Sequence, residues 1–79
     1  MRVVKELMIK DIRITVFSWN NKYLLKFEQG MIEQTFKINQ MDISSEEELS
    51  VFFSEQFLLN VQHRFNEMHH VLRDELANL

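Results

Sequence analysis

The stretch VQHRFNEMHHVLRDEL, residues 61–76, holds all three histidines of the chain. Glu67-x-x-His70 within it has the i, i+3 spacing that helical di-metal carboxylate sites use, and His63 and Asp74 extend the row. A metal site or a His/Glu acid–base pair is the chemistry such residues suggest. Helical geometry argues against both. With Leu58 placed at zero degrees, Val61, Phe65, Met68, Leu72, Leu76 and Leu79 fall within an arc of about 80°. His63, Glu67, His70 and Asp74 fall at about 120–180°, on the opposite side. Consecutive ligands along one straight helix face cannot converge on a single ion, and an outward row lacks the sheltered pocket that proton transfer needs. The expected role is surface pairing, His63 with Glu67 and His70 with Asp74 at i, i+4, with His69 at the boundary.

The apolar row is the stronger pattern. Positions 58, 61, 65, 68, 72 and 79 keep a 3–4 heptad beat, interrupted only where Glu75 takes a seam position beside Leu76. A helix over 55–79 is about 37 Å long. Strands of eight residues are about 26 Å long, and three of them span about 14 Å across. Roughly 10–20 Å of helix then overhangs the sheet, with an apolar strip that another chain can cover. The expectation is a homodimer with an interface of Val61, Phe65, Met68, Leu72 and Leu76. Packing of the strip against the N-terminal segment of the same chain is the rival.

Ahead of this helix the period is two. In DIRITVFSW (11–19), Ile12, Ile14 and Val16 point one way and Arg13, Thr15 and Phe17 the other, which is a strand. Asn20-Asn21 tolerates the positive φ of a tight hairpin. KYLLKFE (22–28) is a second strand with Tyr23, Leu25 and Phe27 on one face. Gln29-Gly30 turns the chain into a third strand, MIEQTFKIN (31–39), with Ile32, Phe36 and Ile38 inward. Then Asp42-Ile43-Ser44-Ser45-Glu46-Glu47-Glu48 reads as a helix start, with a serine cap, a Glu three residues on and acids at the positive end of the helix dipole. Leu49, Phe52, Phe53 and Phe57 form one apolar face and the row from Leu58 another, so a break is expected near Ser54. Val3, Val4, Leu7 and Met8 fit a short N-terminal amphipathic helix, with extension of the first strand by Leu7 and Ile9 as the alternative. The expected class is α+β: one domain over residues 1–79, a three-stranded antiparallel meander packed by C-terminal helices.

If Ile12, Ile14 and Val16 face the helices, Arg13, Phe17 and Trp19 face away. Lys22, Leu24, Lys26, Thr35 and Lys37 are their neighbours. Aromatic and basic residues on an open sheet face are the ingredients of single-stranded nucleic-acid binding, so Arg13, Phe17, Trp19, Lys26 and Lys37 form a candidate ligand face. The missing RNP-like signature and the net charge of −3 argue against nucleic acid as the partner.

Composition sets the outer limits. Seventy-nine residues sit near the lower end of what one core supports unaided, and with no Cys neither disulfides nor thiolate metal sites can help. Seven Phe and 46% hydrophobic residues exclude a disordered chain. No apolar run is long enough for a membrane span, and charges interrupt the N-terminus where a secretory signal has its apolar region. A cytoplasmic location is the expectation. Charge is polarised: residues 1–40 carry seven basic side chains and four acidic, residues 41–79 two basic and eight acidic. A basic half packed beside an acidic half explains this, within one chain or between two. No glycine-rich phosphate loop, G-x-S-x-G, cysteine nucleophile or H-E-x-x-H is present, so neither an enzyme nor a cofactor is expected.

The segment KYLLKFEQGMIEQTFKI, followed by the capped acidic helix start, resembles small bacterial α+β proteins of unknown function over about residues 11–60. The resemblance is one of hairpin-then-helix layout. It implies a compact α+β domain and carries over no functional residue. The resulting expectation is a homodimeric protein-interaction or regulatory module with an unidentified protein partner.

Overall fold

The computed structural model describes residues 1–79. The class is α+β with an antiparallel sheet and a C-terminal helix, but the sheet has four strands in sequential order rather than three. They are β1 (Arg2–Ile9), β2 (Ile12–Trp19), β3 (Lys22–Gln29) and β4 (Ile32–Asn39). The added strand replaces the expected N-terminal helix. Leu7 pairs with Ile14 and Ile9 with Ile12, so both join the inner face, while Glu6 opposite Thr15 and Met8 opposite Arg13 lie outside. A register shift between Val3 and Lys5 breaks the alternation that would otherwise mark the segment as a strand.

Three two-residue turns join the strands. Asn20 and Asn21 both have positive φ, 53° and 62°, the backbone a tight hairpin demands and asparagine accepts. Gly30 sits at φ 60°, where a side chain is unfavourable. Lys10 adopts φ 54° without being a glycine or asparagine, a conformation that costs an L-residue about 1–2 kcal/mol. Strand pairing on both sides outweighs that local preference.

After a 3₁₀ turn at Gln40–Asp42, Ser45 caps a 3₁₀ helix over Glu46–Phe53. The carboxylate of Glu48 folds back to accept from the backbone N–H groups of Ser44 and Ser45. Ser54 is extended, at φ −69° and ψ 155°, and its hydroxyl accepts from Phe57 N–H at 3.2 Å. One serine therefore ends the 3₁₀ helix and starts α1 (Glu55–Leu76), the break expected from the shift of apolar face.

The core lies between the inner sheet face and these helices. Ile12, Ile14, Val16, Tyr23, Leu25 and Phe27 supply the sheet side; Leu49, Leu58, Val61 and Phe65 supply the helical side. Phe27, Phe36, Phe52 and Phe57 pack edge to face or tilted, with ring centroids 5.2–5.9 Å apart. Arg2 bonds Glu46 at 3.0 Å, tying β1 to the 3₁₀ helix across the two oppositely charged halves of the chain.

Candidate functional site: the far half of helix α1 and the open sheet face

α1 lies along the sheet only as far as the β3–β4 turn. The amide of Gln34 donates to the Val61 carbonyl at 3.0 Å, which fixes the middle of the helix over β4. At the next residue, Gln29 and Gln62 exchange amide hydrogen bonds, and Gln62 also donates to Asn66. The Nε2 of His69 lies 3.1 Å from the Gln29 side-chain oxygen. An amide oxygen only accepts, so the contact is a hydrogen bond in the tautomer that carries its proton on Nε2. The ring also packs beside Gly30, 3.6 Å from where a Cβ would stand. These polar side chains clamp the helix to the turn, and nothing in their spacing along the sequence announces it.

Beyond His69 every residue is exposed. The stretch from 70 to 79 is about 15 Å long and gives the molecule a 46 Å long axis against 26 and 19 Å. The proposed interface residues therefore divide. Val61 and Phe65, both fully buried, belong to the chain's own core and are unavailable to a second chain in this fold. Met68 is partly buried at the margin. Leu72 and Leu76 stand outside it, Leu76 at 55% exposure, and Val71 and Leu79 are exposed beside them. Met31, next to Gly30 in the turn where the helix departs, is 91% exposed.

The histidine row faces solvent as its helical angle dictates. His63, Glu67, His70 and Asp74 are all exposed. His70 Nε2 and Asp74 approach to 3.3 Å; His63 and Glu67 form no ion pair. Nowhere do three His, Asp or Glu side chains gather as a metal site requires.

The outer sheet face carries the second set of candidates, and strand register sorts them into two zones. Toward the β1–β2 and β3–β4 turns, Arg13 is bonded to Glu6, and Lys26 lies 3.6 Å from Glu28 and 3.8 Å from Glu33. The hydrogen bond and charge of Glu6 raise the Arg13 guanidinium above its ordinary pKa. Thr15, between Glu6 and Lys26 in the register, is buried although it faces outward. At the other end Val3, Phe17, Leu24 and Lys37 form one cross-strand row and Trp19, Lys22 and Asn39 the next. Trp19 is 51% exposed, and neither Lys22 nor Lys37 has a carboxylate partner. Of the five expected ligand-face residues, Phe17, Trp19 and Lys37 thus share one end, while Arg13 and Lys26 are neutralised at the other.

No helix is long and apolar enough to cross a membrane. Searches against protein-family models, curated proteins and solved structures find no match to this chain.

Proposed function

We propose that this chain is a small cytosolic, non-enzymatic interaction or regulatory module that self-associates as a homodimer through the far half of α1. One observation carries the reading: Leu72, Leu76 and Leu79 continue the line of Leu58, Val61 and Phe65 but stand exposed beyond the sheet. Such a contiguous strip costs solubility unless it is covered, and a domain this small gains stability from a partner. Leu72→Glu places a charge within the strip, away from the core. On size-exclusion light scattering the unmodified protein should elute with the mass of two chains and the variant with that of one. A single-chain mass for the unmodified protein at high concentration ends the proposal.

A second reading has its own support in the patch of Trp19, Phe17, Lys22 and Lys37, where rings and unpaired cations adjoin as single-strand binding requires. It predicts salt-sensitive binding of short single strands that Trp19→Ala weakens. Unchanged fluorescence anisotropy of a labelled oligonucleotide at low salt eliminates it. The acids Glu6, Glu28 and Glu33 on the same face make it the weaker of the two.

A further inference from the structure

Four strands at about 4.8 Å spacing form a sheet roughly 19 Å wide between its outer edges, whereas one helix covers about 10 Å. α1 spends its cover on the β3–β4 side, where Gln34 and the turn at Gln29-Gly30 hold it. At the β1–β2 turn the same face stays open as a groove of about 320 Å³. Ile9, Ile12, Phe53, Leu58 and Leu59 line it, with Lys10 and Glu55 also contributing. The groove and the overhang lie at the same end of the sheet, since both the β1–β2 and β3–β4 turns are there. The chain thus has a stretch of sheet that the 3₁₀ helix and α1 cover only in part, and a helix end with no sheet beneath it.

We infer that the last turns of α1 from one copy fill the β1–β2 groove of a second copy, reciprocally. This docking mode presupposes the self-association proposed above and specifies its geometry. A two-fold axis normal to the sheet layer sets the β3–β4 turn of each copy against the β1–β2 turn of the other. The two α1 helices then run antiparallel, side by side, and each overhang continues over its partner's sheet with its apolar strip facing down. Lengths agree: Glu55 to Gln62 along the groove wall and His69 to Leu76 along the overhang are each about 10 Å.

Charges agree as well. Lys10 and Glu55 at the groove have no ion-pair partner in their own chain, nor do Arg73 and Glu75 on the overhang. The antiparallel arrangement brings Arg73 toward the second copy's Glu55, and Glu75 toward its Lys10. Apolar burial supplies the attraction, and the charges select the antiparallel register.

Because the chain has no cysteine, single cysteines report the geometry directly. Leu59 and Leu76 are both substantially exposed, so substitution at either leaves the core intact. An oxidised equimolar mixture of Leu59→Cys and Leu76→Cys should give a disulfide-linked heterodimer. Each variant alone should stay uncrosslinked, because like positions lie roughly 20 Å or more apart across the axis, far beyond disulfide reach. Glu55→Arg and Arg73→Glu should each weaken self-association about fivefold, and their combination should restore it.

The outcomes separate. A single-chain mass for the unmodified protein removes both the self-association and this docking mode. A two-chain mass with crosslinking of Leu76→Cys to itself keeps the self-association but shows the strips packing seam to seam, which overturns the groove. A two-chain mass with no crosslink in any sample also overturns it.

Discussion

Leu58 and Leu76 occupy the same angular position on α1, eighteen residues and five full turns apart. Leu58 is buried beneath the helix and Leu76 stands in solvent. Sequence, helix and face are shared; what differs is whether a sheet lies underneath. Amphipathic pattern therefore states which side of a helix seeks cover, and the length of the opposing layer states how much of that side receives it. The boundary falls at His69, clamped to Gln29 beside Gly30.

Substitutions along this strip test the division. The largest effect is expected at Phe65, fully buried against the sheet: Phe65→Ala should lower unfolding free energy by about 3–5 kcal/mol in urea titration. For a domain of this size that approaches the whole stability. Leu58→Ala should cost about 2–3 kcal/mol, near the lower end for a core leucine because the groove already gives its side chain some room. At protein concentrations too low for association, Leu76→Ala should change stability by less than about 0.5 kcal/mol. Equal losses at 58 and 76 under those conditions would mean that the overhang is packed within its own chain.

Much of this was legible beforehand. Strict alternation in IRITVFSW and KYLLKFEQ located two strands and their inner faces, and Asn20-Asn21 located a turn of the required φ. The change of apolar face at Ser54 located the helix break, and the overhang of the last turns followed from lengths alone. The pattern of residues 2–9 fits a helix as well as a strand, for two physical reasons. The bulge in β1 interrupts the two-residue period, and the turn after it uses Lys10, a residue that sterics disfavour at positive φ. A heptad beat says nothing about where a sheet stops, so it does not separate Val61 and Phe65, buried in the chain's own core, from the exposed Leu72 and Leu76. On the outer face, only strand register brings Glu6, Glu28 and Glu33 beside Arg13 and Lys26, and the alternation of polar residues along one strand does not show it. The Gln29–Gln62–His69 clamp joins residues up to forty positions apart and has no local signature.

The irregularity between Val3 and Lys5 also bears on how such a protein avoids growing without limit. A straight outer strand offers its free amides and carbonyls to any identical neighbour, and repeated addition of that kind ends in fibrils. Here the outermost strand is buckled in its first half, and Lys5 is drawn inward over the Phe53 ring, 5.7 Å from its centroid. A second sheet laid alongside would meet mismatched hydrogen-bonding groups and a cation. Backbone-mediated polymerisation is thereby discouraged on that flank.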